Sequence, residues 1–446
     1  MKVTKAISVA LATLLIPAAA YAVKIPIPVE GATLNLSFQL QAQSLMQENG
    51  APNGTDNSYD FFIRRSRIIV NGDISQNFSY FVQVDNPNFG KYGNYTGRAI
   101  VQDAWVGWAP TGITGGTVLY IDAGILLVPF SHTGLESTTN FVTADISLDT
   151  FRMPGNALPA FRDTGIQLRG WALNKKIGFR GGFYEGYQPA TPALGGAPAN
   201  ATTPAGALCA TATPGSCVNP KRNPAIRGFV NFDIIGSEEG GWLYGAYKWG
   251  KEPILSVNVA GSYQSQAIKT PFGDLTDHRY ISAGMYLNLP MTEQAELVLE
   301  ATGTLNGNGS GSGNTGTGLE VNLGYRFGAF APYVSYDYFQ SGDCGGLTLD
   351  PGQATTCANA IDSADSRNFR AGLNFFFNKN LNHLNIEFAA NHGAAGYGPA
   401  TINNATAGYA PLALDPFVAG GPRRTFTANL RNPTFKSLLL HWNVLF

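Results

Sequence analysis

The feature that most constrains this 446-residue chain is an alternation of apolar and polar side chains, which recurs from residue 34 to the last residue. The first such stretch, Leu34–Gln41, reads LNLSFQLQ, and the last, Ser437–Phe446, reads SLLLHWNVLF. A period of two places the apolar side chains on one face of a β-strand and the polar side chains on the other. The pattern therefore predicts an all-β transmembrane barrel, whose strands face lipid on one side and water on the other.

The N-terminus has the three parts of a secretory signal peptide. Two lysines in the first five residues precede an uncharged apolar run that contains Ile7–Ile16, and Ala20–Ala22 supplies an A-x-A cleavage site. We therefore expect residues 1–22 to be removed and residues 23–446 to form a single outer-membrane barrel domain. A membrane-anchoring helix is the less favoured alternative, because the apolar core is short and no basic flank follows it.

Charge and composition narrow the partners. Removing the two signal-peptide lysines leaves 27 of the 29 basic residues against 30 acidic ones, a balance near −3. This balance disfavours nucleic acid and anionic membrane surfaces as partners. Aromatic residues make up 12% of the chain and glycine occurs 53 times, which is typical of aromatic girdles and many turns. The expected partners are outer-membrane lipid, lipopolysaccharide and small hydrophilic solutes, and we expect no cofactor.

Alternation and turn signals predict sixteen antiparallel strands. Their connections alternate between short turns and long loops, as in outer-membrane barrels with periplasmic turns and outer loops. The segment Gly241–Gly250 (GWLYGAYKWG) would invert this rhythm if it were a strand, so we interpret 235–252 as an elaborated periplasmic turn, with eighteen strands as the alternative. The predicted strands lie near 33–43, 61–72, 77–86, 98–109, 117–127, 163–173, 176–186, 224–234, 253–265, 279–289, 293–304, 316–328, 331–341, 367–377, 382–391 and 435–446.

The four cysteines form two close pairs, Cys209/Cys217 and Cys344/Cys357. An even count in an exported chain favours disulfides, and four cysteines permit three pairings. Because each pair falls within one loop-like segment, we expect the two local disulfides. No cluster of histidines or carboxylates surrounds either pair, so a metal site is disfavoured there, and we expect no metal elsewhere in the chain.

Four segments resemble, in order, the phosphate-selective porin family (porins O and P) of Gram-negative outer membranes. They are FFIRRSRIIVNGDI followed by FSYFVQVD, then IDAGILLVPFSHTGLES, FRDTGIQLRGW and KIGFRGGFYEG, and they cover mainly residues 61–235. The resemblance implies a sixteen-stranded barrel, usually trimeric, whose third long loop folds inward as the constriction. That loop is 128–162 here. It contains no lysine, whereas phosphate-specific members carry a lysine cluster along the pore, so phosphate specificity is not expected.

The strand phases and the third loop predict which charged groups line the pore. Opposite charges across a narrow water path would create a transverse field that orients solutes and biases ion selectivity. Charge on the lipid face costs roughly 2–4 kcal/mol at the midplane, so these groups should point inward. The alternative is that they pair with one another and only stabilise the wall. The predicted pore-lining residues are Arg65, Arg67, Asp103, Asp122, Arg169 and Arg180 on strands, and Glu136, Asp145, Asp149, Arg152 and Arg162 in the loop.

Arg64 breaks this pattern because it falls on the same face as Phe62 and Ile68. Either its side chain extends toward the lipid headgroups or the assigned phase is wrong by one residue. Later strands place further charges inward, and we interpret them as wall lining. Glu296 and Glu300 are about 13 Å apart by strand rise, too far for paired-carboxylate catalysis. The inward charges of these strands are Glu296, Glu300, Glu320, Asp337 and Glu387, with Arg326 and Arg370.

Two functions remain open, and neither is enzymatic, because the five histidines form no recognisable constellation with a nucleophile. The first is a porin for passive diffusion of small hydrophilic solutes and ions, with a possible anion bias. The second is a structural or surface-display barrel whose long loops dock a partner such as an electron-transfer protein. We favour the porin, because a charged loop opposite an arginine-bearing wall serves a pore rather than a surface. Phe446, with Trp442 and Val444 on the same face, is the predicted membrane-assembly signal.

Overall fold

The computed structural model shows sixteen long antiparallel strands across the described residues and one short N-terminal strand, β1 (Val23–Ile25). The structure describes residues 23–25, 31–48, 50–51, 56–93, 95, 99–110, 118–147, 161–187, 223–238, 242–250, 252–269, 275–309, 315–342, 365–393 and 434–446. The long strands are β2 (Leu34–Gln47), β3 (Ser58–Ser75), β4 (Phe78–Asp85), β5 (Ile100–Trp108), β6 (Val118–Leu127), β7 (Arg162–Ala172), β8 (Ile177–Tyr184), β9 (Ala225–Ile235), β10 (Ile254–Lys269), β11 (Leu275–Thr292), β12 (Ala295–Gly307), β13 (Gly316–Phe327), β14 (Phe330–Ser341), β15 (Ser366–Asn378), β16 (Asn382–Gly393) and β17 (Thr434–Leu445).

The sheet closes on itself. Each long strand pairs with its neighbours in the chain, and β17 pairs with β2 from Ser437↔Gln47 to Leu445↔Gln39. Among the described residues, closure pairs both edges of every long strand, as a lipid environment requires. The predicted sixteen-stranded barrel is therefore confirmed. The described part of 236–253 contains no strand, since β9 pairs directly with β10, and the eighteen-strand alternative is wrong.

Alternation produces the two faces of the wall. Along β14 exposed and buried side chains alternate at almost every position. Large apolar side chains such as Ile281 (56% exposed) and Val259 (51%) point outward, while polar groups such as Gln41 and Asn443 are fully buried inside. A closed barrel with an apolar exterior locates the protein in a bacterial outer membrane.

No helix among the described residues is long and apolar enough to cross a membrane.

A β-bulge in β3 explains the anomaly at Arg64. The ladder to β2 skips this residue, and the extra residue reverses the side-chain phase. On the N-terminal side of the bulge, Phe61 is 71% exposed and Phe62 only 6% exposed. On its C-terminal side, Ile68 is 52% exposed. The expected lipid-facing position of Phe62 is therefore wrong. Arg64 points inward as well, and its Nε lies 2.8 Å from Asp145 Oδ2.

The final strand places its terminal residues as the alternation predicts, with one difference. Phe446 is exposed, and its ring stacks on Phe38 with centroids 6.3 Å apart. Trp442 is half-buried on the same outward face, but Val444 is only 5% exposed. The assembly role of these residues stays a prediction.

Several expectations fall on residues outside those described. They are the signal peptide 1–22, the loop residues Asp149 and Arg152, and the cysteines Cys209, Cys217, Cys344 and Cys357.

Candidate constriction site

The third loop, Val128–Phe161, connects β6 to β7 and lies inside the barrel over its described residues. Val128, Phe130 and Leu135 are almost completely buried. The carbonyl of Phe130 accepts hydrogen bonds from two side chains of β11, Tyr280 Oη at 3.1 Å and Ser282 Oγ at 2.5 Å. The loop therefore leaves its own strands and packs inside the lumen against β11, four strands from β7 around the barrel.

A second segment enters the lumen from the other end of the barrel. We name the connection 236–253 between β9 and β10 the periplasmic insert; Ala246 and Tyr247 within it are 0–1% exposed. The favoured interpretation of 235–252 as a non-strand connection is confirmed, but the segment enters the lumen instead of forming a turn at the barrel end. The apolar and aromatic composition of GWLYGAYKWG was the signal for burial, because an exposed turn has no need of two tryptophans and two tyrosines.

The third loop and the periplasmic insert are joined by backbone hydrogen bonds. The Ser137 amide donates to the Tyr244 carbonyl and the Tyr244 amide donates to the Leu135 carbonyl, both at 2.9 Å. The Asn140 side chain adds two more, since its Nδ2 donates to the Tyr247 carbonyl (3.1 Å) and its Oδ1 accepts from the Tyr247 amide (2.9 Å). Two segments that enter from opposite ends thus form one element across the lumen.

A cavity of about 250 Å³ remains between this element and the wall of β2–β5. Its lining holds four arginines against two acidic residues and, within the described residues, no lysine. The wall contributes mainly polar side chains, and the inward segments contribute the hydroxyls of residues 137–139 and the apolar Trp242 and Leu243. The charged lining residues are Arg64, Arg65, Arg67, Asp103, Glu136 and Arg162.

Three of the predicted arginines pair with carboxylates one or two strands away. Arg67 Nε lies 2.9 Å from Asp85 Oδ2, Arg162 Nε lies 3.1 Å from Asp103 Oδ1, and Arg169 Nε lies 2.8 Å from Asp122 Oδ2. Arg162 is the first residue of β7 rather than a loop residue. Arg67 and Arg162 therefore do both: each forms a salt bridge within the barrel wall and also lines the cavity.

Arg169, Asp122 and Arg180 do not line the cavity, because the periplasmic insert covers them. The guanidinium groups of Arg169 and Arg180 lie 5.1 and 5.2 Å from the centroid of the Trp242 ring. Arg180 also donates to the Trp242 carbonyl. Cation–π contact and a carbonyl acceptor hold these arginines against the insert.

Asp145 anchors the third loop to the arginine-bearing strand β3. Its two carboxylate oxygens lie 2.8 Å from Arg64 Nε and 2.8 Å from Arg65 Nη2. Burial alone would raise the pKa of Asp145, but the charges of Arg64 and Arg65 outweigh it and hold this pKa well below its usual range. The carboxylate is therefore a permanent anchor rather than a free pore charge.

Thr138 holds the tip of the loop against the same wall. Arg67 Nη1 donates to Thr138 Oγ1 and Gln41 Nε2 donates to the Thr138 carbonyl, both at 2.8 Å. Sequence reasoning missed this residue because a threonine in a loop carries no distinctive signal.

Glu136 lies where the loop, the insert and β12 meet. It is 4% exposed and close to His132 and Glu300. Burial, followed by the charge of Glu300, raises the pKa of Glu136 well above its ordinary value.

A closed sixteen-stranded barrel with an inward third loop and a charged lumen defines the porin class of fold. Solved structures share it. The anion-selective porin from Comamonas acidovorans is 15% identical, with a TM-score of 0.54, over 93% of this chain and all of that one. OprB of Pseudomonas putida is 8% identical, with a TM-score of 0.50, over 93% of this chain and 94% of that one.

Salmonella typhi OmpF is 11% identical, with a TM-score of 0.49, over 95% of this chain and all of that one. No family model and no curated protein matches the sequence. The similarity is therefore one of fold.

Proposed function

We propose that the protein is a non-enzymatic porin through which small hydrophilic solutes and ions diffuse passively, with a preference for anions. The observation that carries this proposal is the arginine-rich cavity beside the third loop, where four arginines face two acidic residues. Electrostatic bias of this kind selects ions without a binding step.

The position of the counter-charges supports the anion preference. Arg67 lines the cavity while its partner Asp85 does not, and Arg64 and Arg65 line it while Asp145 does not. The guanidinium groups thus lie between their carboxylates and the water path. An ion in the cavity is therefore closer to Arg64, Arg65 and Arg67 than to Asp85 and Asp145, and with Arg162 these arginines outnumber the two lining carboxylates, Asp103 and Glu136.

Phosphate specificity is not part of the proposal, although the sequence resembles phosphate-selective porins. The described cavity lining contains no lysine, and all four of its arginines already form salt bridges with carboxylates. Phosphate should therefore saturate the channel only weakly. From the same resemblance we propose a homotrimer, which chemical cross-linking in detergent tests.

Planar-bilayer recording of the purified mature chain tests the function. We expect open channels whose reversal potential in a tenfold KCl gradient indicates anion preference. Arg67→Gln with Arg162→Gln should shift this potential toward cation preference, since two positive charges leave the lining. The shift should shrink at high salt, because the screening length falls from about 10 Å at 0.1 M to about 3 Å at 1 M.

Arg279→Gln is the matched control, because the Arg279 side chain is 71% exposed and lies outside the cavity. It should leave the reversal potential unchanged. A folded protein without conductance would contradict the porin and favour the structural barrel. Conductance with an unshifted reversal potential in the double variant would contradict the anion-selective role of the cavity.

A further inference from the structure

Three side chains with metal-ligand chemistry meet where the third loop packs against β12. His132 and Glu136 come from the loop and Glu300 from the strand, and one ligand atom from each lies within 4.8 Å of the other two. All three side chains are buried, at 2–4% exposure. Imidazole nitrogen and carboxylate oxygen together are the donor set of zinc and related divalent transition metals.

The atoms that face this point have no hydrogen-bond partner within the described residues. They are both carboxylate oxygens of Glu136, Oε1 of Glu300 and Nδ1 of His132. Neither carboxylate has a lysine or arginine of the described chain within 4.0 Å; the contact of Glu136 is His132 Nδ1, 3.2 Å from Oε1. Two buried carboxylates without cationic partners are unfavourable unless a cation or a proton neutralises them.

His132 is oriented as a ligand. Its Nε2 lies 2.6 Å from Glu238 Oε1, so Nε2 donates; in the neutral ring this leaves the lone pair of Nδ1 facing Glu136 Oε1, 3.2 Å away. A carboxylate behind the histidine is the usual support of a metal-bound imidazole. The ring is held between Tyr244 and Tyr286, with both centroids at 4.8 Å.

Charge balance at the cluster favours a divalent cation. The Glu238 carboxylate already has a cationic partner, since Lys248 Nζ lies 2.9 Å from its Oε1. Glu136 and Glu300 therefore contribute the two negative charges that remain. Glu136 also lines the cavity, which provides a route for a hydrated ion from the pore.

We propose that His132 Nδ1, Glu136 and Glu300 bind one divalent transition-metal cation, with Zn²⁺ the best match to the donor set. The fourth coordination position is left to water from the cavity. The ion would join the third loop to β12 beside the periplasmic insert and add positive charge next to the arginine-lined path. This site replaces the expectation of no metal, and sequence spacing did not indicate it because its ligands lie on a loop and on a distant strand.

Zn²⁺ binding to the untagged, detergent-solubilised mature chain tests the site directly. After EDTA treatment and removal of the chelator, calorimetric titration should give a single Zn²⁺ per chain. X-ray absorption of the loaded protein should show one nitrogen and two carboxylate ligands plus water, at about 2.0–2.2 Å. This readout needs no variant and does not depend on channel activity, so it fails independently of the proposed function.

Variants identify the ligands. Glu136→Gln with Glu300→Gln should weaken Zn²⁺ binding by more than about tenfold, and Glu238→Gln, which changes the positioning residue, by about 10–100-fold with the nitrogen ligand retained. His383→Gln is the control, because His383 is a buried histidine of β16 outside the cluster. It should bind Zn²⁺ as the wild type does.

Two outcomes would overturn the proposal. One is no saturable Zn²⁺ binding by protein whose heat-modifiable migration shows a folded barrel, which would mean that a shared proton neutralises the carboxylates. The other is unchanged binding in the folded double variant, which would place the ion elsewhere.

Discussion

The two halves of the barrel wall use their inward charges differently. On β2–β7 arginines face the cavity, with paired carboxylates behind several of them, whereas on β10–β17 carboxylates are covered by the third loop and the periplasmic insert. Glu387 Oε2 accepts from the Ala144 amide of the loop at 3.2 Å. Glu296 Oε2 accepts from the amides of Lys248 and Trp249 of the insert, each at 3.3 Å.

Hydrogen-bond chemistry explains the difference. A segment that crosses a barrel without strand partners must find acceptors for its backbone N–H groups. Ionised carboxylates only accept hydrogen bonds, and guanidinium groups only donate them. Carboxylates of the acidic wall can therefore bind backbone N–H groups, whereas arginine side chains cannot. Arginines instead bind carboxylate, hydroxyl and carbonyl oxygens, as Arg65 Nη2 does with Asp145 Oδ1 at 2.8 Å. Both walls therefore hold the third loop, the acidic wall through backbone N–H groups and the arginine wall through Asp145 and Thr138, and the arginine wall also borders the cavity.

Removing the periplasmic insert should change channel behaviour more than any other variant, because the insert covers the acidic wall. Replacing 241–250 with a short Gly-Ser linker takes away the segment that covers the acidic wall and pairs with the third loop. We expect the single-channel conductance to rise by at least about twofold and its noise to increase, as recorded in planar bilayers. Unchanged conductance in a folded variant would show that the insert does not restrict the water path.

Asp145→Asn should have the next largest effect, because it removes the salt bridges that join the third loop to Arg64 and Arg65 of β3. Removing one partner of a buried ion pair typically costs about 3–5 kcal/mol, here concentrated in the attachment of the loop. Channel noise should rise and anion preference should increase, since Arg64 and Arg65 lose their counter-charge. Quiet channels with wild-type selectivity would mean that other contacts hold the loop.

The pH dependence of the same anchor follows from its pKa. Because the pKa of Asp145 is depressed in the folded protein, its stabilisation is fully present above the ordinary aspartate value and is lost only as pH falls below it. Wild-type channels should therefore show no increase in loop noise between pH 7 and pH 5. Noise that grows within this interval would indicate a different controlling group.

The smallest effect is expected for a substitution in the acidic wall that preserves the hydrogen-bond acceptor. Glu387→Gln keeps an amide oxygen for the Ala144 amide, so thermal stability should change little. Glu387→Leu leaves the buried amide of Ala144 without this acceptor and Tyr333 Oη with Asn385 as its hydrogen-bond partner, at a cost of about 1–3 kcal/mol. Equal melting temperatures for the two variants in detergent would contradict the anchoring role of this carboxylate.

The alternation of apolar and polar residues is enough to predict the number of long strands, their approximate bounds and the face of most side chains. The predicted loop 128–162 lies between strands that end at Leu127 and begin at Arg162. These properties follow from a period of two, which is local, so a few consecutive residues suffice to detect it. The cysteine pairs, the signal peptide and the assembly role of Phe446 stay predictions.

Which inward residues contact one another depends on how distant segments pack in three dimensions. The bulge at Arg64 depends on the register between two strands, and no pattern within β3 alone indicates it. The position of the periplasmic insert depends on hydrogen bonds to a loop about a hundred residues earlier in the chain, such as Asn140 with Tyr247. The meeting of Glu136 with Glu300 depends on a loop folding across the lumen onto a distant strand. Contacts of this kind join residues far apart in sequence, and short-range alternation carries no information about them.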